Sequence, residues 1–212
     1  AAVWARENTR ESLFDAMKRR ETYATTGSRI TVRFFGGWEY DEADVDRPNY
    51  LDIGYSKGVP MGGDLTAAKR GQAPRFIVTA AKDPDGANLD RVQIVKGWLD
   101  KRGALQEKVY DVAWSGDREI DPETGKLPAV GSTVDVENAT FANTIGAPHL
   151  ATVWQDPDFD RRERAFYYVR VLEIPRPRWT AYDAAYFDLD LPDDVPMVIQ
   201  DRAYTSSIWY TP

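Results

Sequence analysis

Arg91-Val92-Gln93-Ile94-Val95-Lys96-Gly97-Trp98 and Lys108-Val109-Tyr110-Asp111-Val112-Ala113-Trp114 are the two stretches on which the fold turns. In the first, a period of two sets Val92, Ile94 and Trp98 on one face and Arg91 and Gln93 on the other; in the second it groups Tyr110, Val112 and Trp114. Such alternation belongs to strands with one face in a core. The spacing predicts that the two pair as neighbours. The same β-branched and aromatic composition marks strands at Ile30–Phe35, Arg75–Ala80, Ser132–Val136, Leu150–Trp154, Arg164–Ile174 and Ala203–Tyr210. Turn signals separate them: Asp83-Pro84-Asp85-Gly86, Asp121-Pro122-Glu123-Thr124-Gly125 and Asp156-Pro157-Asp158. Many short strands between Pro, Gly and Asp turns predict a mainly β protein, an antiparallel two-sheet β-sandwich of immunoglobulin-like kind.

The N-terminal segment has a different period. Asn8 followed three residues later by Glu11 forms a capping-box pattern, and Leu13, Phe14 and Met17 follow at helical spacing, predicting a helix from about Thr9 to Glu21. Ala1-Ala2-Val3-Trp4-Ala5 reads as a short strand before it. The chain opens on Ala1 without an initiator Met, which predicts that it was cut from a longer precursor. The expected organisation is a strand-helix segment over residues 1–28 and a sandwich over 29–212.

Composition narrows the function classes. At 42% hydrophobic and 12% aromatic, the 212 residues are rich enough in apolar side chains to fold. A net charge of −7 argues against nucleic acid and anionic membranes as partners. No apolar run approaches the roughly 20 residues of a membrane span, so a soluble protein of cytoplasm or periplasm is expected, with a homo-oligomer left open. Zero cysteines exclude disulfides and thiolate sites, and a single histidine, His149, excludes a two-histidine metal site within the chain. No cofactor is therefore expected on this chain, and His149 itself reads as a strand-edge histidine.

Other segments admit two readings each. Asp83 to Asp90 resembles a calcium loop, but its glycine stands fourth instead of sixth and no Glu stands twelfth, which favours an Asp-Gly turn over a calcium-stabilised module. The acidic stretch Asp183 to Asp194 reads as a solvated loop sooner than a carboxylate pair. Met61, Gly62, Gly63 and Asp64, in Gly58-Val59-Pro60-Met61-Gly62-Gly63-Asp64-Leu65, form either a structural loop or a ligand loop, since paired glycines allow positive φ and close approach. Asn138-Ala139-Thr140 is a formal glycosylation sequon. Trp98, Trp114, Trp154, Trp179 and Trp209 are either core or a sugar-stacking surface, as in a carbohydrate-binding or protein-interaction module, and exposure separates the two.

Several runs together carry a family resemblance: Ala1 to Glu11 with Leu13-Phe14-Asp15-Ala16, Arg19 to Gly27, Phe34-Phe35-Gly36-Gly37-Trp38, Gly58 to Leu65, Leu89 to Trp98 and Ser206 to Pro212. Over its whole length the chain resembles the C-terminal part of domain of unknown function 3604 proteins. The resemblance implies a metal-dependent barrel upstream, similar to the polymerase and histidinol phosphatase (PHP) phosphoesterases, joined to this β-sandwich. Such a barrel would hold divalent Zn, Mn or Mg that activates water, and would be the partner of this chain. The strand-helix segment would then be a remnant of that barrel, placing Arg6, Glu7, Asn8 and Arg10 at the C-terminal end of its last strand, where barrel active sites form. These four become candidate lining residues of the intact enzyme, against the plainer account that Asn8 and Glu11 cap the helix and Arg6 is solvated. The expected function is a non-catalytic accessory domain of a metal-dependent hydrolase.

Overall fold

The computed structural model describes residues 1–66 and 68–212. Its elements run β1 (Ala2–Val3), α1 (Arg10–Lys18), β2 (Thr22–Thr25), β3 (Thr31–Gly37), a 3-10 turn (Glu42–Asp46), α2 (Tyr50–Lys57), β4 (Gly58–Pro60), β5 (Asp64–Leu65), β6 (Arg75–Ala81), β7 (Leu89–Leu99), β8 (Leu105–Trp114), β9 (His149–Gln155), β10 (Ala165–Glu173), β11 (Arg176–Pro177), α3 (Trp179–Phe187), β12 (Val198–Ile199), β13 (Arg202–Thr205) and β14 (Ile208–Tyr210). The protein is mainly β, and two sheets face one another. The larger sheet is built on β10, which pairs along one edge with β7, itself paired to β8. The other edge of β10 is shared by β13, which leads on to β2 and β1, and by β14, which pairs in parallel with β5. The smaller sheet runs β4-β3-β6-β9, all antiparallel.

Alternation explains the core between them. Val92 and Ile94 of β7 and Tyr167, Val169 and Val171 of β10 point inward against Val32 and Phe34 of β3 and Phe76, Val78 and Ala80 of β6. Phe76 meets Tyr167 across the gap at 4.6 Å between ring centroids and stacks on Phe34 within its own sheet. The smaller sheet is also covered outside, where Phe35 and Ile77 pack with Tyr40 and with Ile53 of α2. Burial on both faces explains why Phe76 to Ala80 reads as a continuous run with little alternation.

Four expectations needed correction. The helix is capped by Thr9, whose side chain accepts the Ser12 N–H, so Asn8 is not the cap, and α1 stops at Lys18, short of Glu21. Ser132–Val136 forms no strand; Asp135 and Thr140 make an isolated bridge. Ala203 to Tyr210 splits in two, because the register against β10 slips by one residue between the Arg170–Tyr204 and Tyr167–Ile208 pairs, and Thr205 Oγ1 fills the gap by accepting the Val169 N–H at 2.9 Å. Finally, β7 and β8 do pair, but a bulge at Val112 puts Val92 opposite Ala113 and Arg91 opposite Trp114. One extra residue reverses the faces beyond it, so Trp114 lies away from Tyr110 and its indole N–H is taken by the Arg118 carbonyl.

The N-terminal segment is hydrogen-bonded into the larger sheet. Ala2 stands opposite Tyr23, and Tyr23 opposite Thr205. The Trp4 indole donates to the Val32 carbonyl at 2.9 Å, tying β1 to the smaller sheet.

Candidate functional site

The turn out of α1 shapes a broad cleft. Arg20 takes a positive φ of 63° and swings the chain back, so that Glu21 enters the interior at the head of β2 and is almost fully buried. Burying a carboxylate is costly unless donors surround it, and here they do. Glu21 Oε2 accepts from Arg19 Nε at 2.8 Å, Oε1 accepts from the Tyr55 hydroxyl, and Arg33 Nη1 lies 3.5 Å from the same oxygen. Arg33 in turn lies over the Trp4 ring, with its guanidinium carbon 3.3 Å from the centroid, in cation–π contact. Burial, and secondarily the bond to Glu21, push the Tyr55 hydroxyl above its usual pKa, so it stays protonated.

Around this group opens a cleft of about 850 Å³, walled also by Ala5, Arg6, Ser12, Asp15, Asp52 and Pro60. Its guanidinium groups, Arg6, Arg19 and Arg33, are balanced by the carboxylates Asp15, Glu21 and Asp52. Two of those guanidiniums are spent on Glu21, and the Ser12 hydroxyl accepts the Glu7 backbone N–H at 3.3 Å. Both Glu21 carboxylate oxygens are thus occupied by donors. The arrangement can hold and orient a polar group.

Of the residues singled out from sequence, Arg6 lines this cleft. Glu7 is exposed on the approach to α1, and Asn8 and Arg10 border a separate shallow hollow with Leu13, Phe14 and Met17. The Gly58 to Leu65 segment is a strand, a turn and a strand. Met61 is buried in the core, and Asp64 pairs with Arg20 at 2.9 Å. Gly62 adopts φ +85°, and a Cβ there would stand 2.2 Å from the Arg20 carbonyl oxygen, so both conformation and space call for glycine. Arg19, Glu21, Arg33, Asp52 and Tyr55 carried no local signal, since distant segments bring them together.

The remaining candidates are occupied by ordinary contacts. Asp83 accepts the Arg29 backbone N–H at 2.7 Å and the Asp85 N–H at 3.2 Å, the bonding of an Asp-Gly turn. Among the described residues no group of three or more His, Cys, Asp or Glu side chains is arranged to hold a metal ion. His149 is exposed at the start of β9. Asp183 lies within α3, which Asp188 ends in the left-handed conformation, and the acidic residues beyond it are exposed. Asn138 donates to Asp135 at 2.7 Å. Trp98 and Trp154 pack on the core, whereas Trp179 and Trp209 are exposed. Among the described residues no helix is long and apolar enough to cross a membrane.

No curated protein and no solved structure matches the chain. The family model described as "protein of unknown function (DUF3604)" matches residues 1–212, end to end, and the chain belongs to that family.

Proposed function

We propose that this chain is the non-catalytic accessory β-sandwich of a larger metal-dependent hydrolase, PHP-like and acting on phosphoesters, and that its charged cleft forms one wall of the substrate site. The observation that carries this reading is the Glu21 cluster: a buried carboxylate locked by Arg19, Arg33 and Tyr55 at the foot of a polar cleft whose rim residue Arg6 makes no ion pair among the described residues. Such a locked cluster fixes the shape of a wall. Zn, Mn or Mg would be held by ligands of the barrel domain, because the described residues here offer no cluster of metal-ligating side chains.

The purified chain, incubated with a chromogenic phosphodiester and added Mn²⁺ or Zn²⁺, is expected to give no turnover above buffer. Turnover that Glu7→Gln or His149→Ala abolishes would overturn the reading. In the longer protein, Arg6→Ala is expected to raise KM with kcat nearly unchanged, as loss of uniform binding does; an unchanged KM would remove Arg6 from the wall.

A further inference from the structure

The outer face of the larger sheet carries a second site, far in sequence from the cleft. The register sets Trp209, Phe166, Gly97 and Glu107 in one row across β14, β10, β7 and β8. Gly97 has no side chain, and a Cβ there would come within 2.3 Å of Phe166 Cζ. The Phe166 ring therefore lies down over β7 and rests on the Gly97 backbone. Trp209 stands beside it, with 5.2 Å between ring centroids, and is 44% exposed. That exposure separates it from Trp98 and Trp154, which the core accounts for. The two rings floor a trough of about 550 Å³, within the range of small-molecule sites.

The rim decides the ligand class. Glu107 and Arg164 both line the trough and are exposed, and among the described residues neither side chain has a hydrogen-bond or ion-pair partner. An apolar peptide laid on the rings would strip water from both charges and return nothing. A ligand with an apolar flat face and a hydroxylated edge satisfies floor and rim together: C–H groups on the aromatic rings, hydroxyls donating to the carboxylate and accepting from the guanidinium. We propose that this trough is a carbohydrate subsite, in which a pyranose ring stacks on Trp209 and Phe166 while Glu107 and Arg164 hydrogen-bond its hydroxyls. This inference is independent of the hydrolase reading, since it uses no residue of the cleft.

The test is a titration of the full chain with soluble neutral oligosaccharides built from glucose, xylose, mannose or N-acetylglucosamine, followed by tryptophan fluorescence and calorimetry. At least one is expected to bind in the micromolar to millimolar range, with Trp209→Ala weakening it roughly tenfold or more and Arg164→Ala several-fold. The exposed Arg164 side chain makes no hydrogen bond or ion pair among the described residues, so its variant keeps the test valid if Trp209→Ala folds poorly. The inference is overturned if no oligosaccharide binds at millimolar concentration, or if binding survives both substitutions. It is also overturned if sedimentation shows a dimer that Trp209→Ala dissolves, which would assign the trough to a second copy of the chain.

Discussion

At the scale of single residues, two buried ionisable groups make opposite demands on the fold. Glu173 is fully buried at the end of β10; the Ser28 hydroxyl donates to Oε1, and Oε2 has no partner. Asp201 and Asp83 are also near it, and Arg176 is committed to Asp201. Burial first, and the neighbouring carboxylates next, push its pKa from 4.5 up to about 7. The native state therefore favours the protonated carboxyl. Its contribution to stability is complete below about pH 4.5, falls as pH rises toward 7 and is gone above that. Glu173→Gln, neutral at every pH, is expected to flatten that decline and to gain on the order of 2–3 kcal/mol over wild type at pH 8, read from urea melts at pH 5 and pH 8. Parallel pH profiles for the two proteins would sink the assignment. Lys96 is the reverse case. Its ammonium lies 2.6 Å from Asp156 and donates to the Asp158 carbonyl, while Tyr167 also donates to Asp156. Removing the cation alone strands a buried carboxylate, so Lys96→Met is expected to cost about 3–5 kcal/mol. Pairing it with Asp156→Leu is expected to restore most of that loss in the same melts, and a double variant as unstable as the single would refute the pairing.

At the scale of elements, most strands were legible, and of the short helices only α1 was. Arg91–Trp98 and Arg164–Ile174 announce themselves because a face repeating every two residues survives in sequence whatever lies opposite, whereas Ile30–Phe35, Arg75–Ala80 and Leu150–Trp154 are legible from their β-branched and aromatic composition. The bulge at Val112 was invisible, since an inserted residue looks like any other until its partner strand is known. Helix α3 is apolar nearly all round and followed by acidic residues, so it gave no 3.6-residue pattern. The cleft was legible only at Arg6, because its other charged residues come from segments whose proximity depends on the sheet order. Helix α2 is eight residues long with Gly54 in its middle, which local propensity alone reads against. Gly54 is there for packing: a Cβ would stand 2.7 Å from Phe35 Cγ, and Phe35 is itself buried in the smaller sheet. Gly54→Ala thus sets a propensity gain of about 1 kcal/mol against overpacking of about 1–3 kcal/mol. Because the Phe35 ring has no room to retreat, a net loss of about 1–2 kcal/mol in thermal or urea melts is expected. A more stable variant would show that α2 can slide on β3.

For the whole molecule, the question is whether residues 1–28 and 29–212 are separable. The N-terminal segment pairs through β2 with β13, and Thr22 meets Ser206 at 2.8 Å; Trp4 bonds to Val32, Arg20 to Asp64, and Glu21 to Tyr55 and Arg33. Those contacts reach both sheets, α2 and β5, so little of the sandwich is free of the segment. The full chain is expected to unfold in one calorimetric transition with equal calorimetric and van't Hoff enthalpies. A piece comprising residues 29–212 would lose the wall of the cleft that carries Trp4, Arg6, Arg19 and Glu21. It would also bare the edge of β13 that β2 covers, and exposed edges pair with other chains. That piece is expected to self-associate and to melt without cooperativity. If it instead stays monomeric and melts cooperatively within a few degrees of the full chain, the division at residue 28 is a true domain boundary, and the segment before it belongs to whatever structure precedes it.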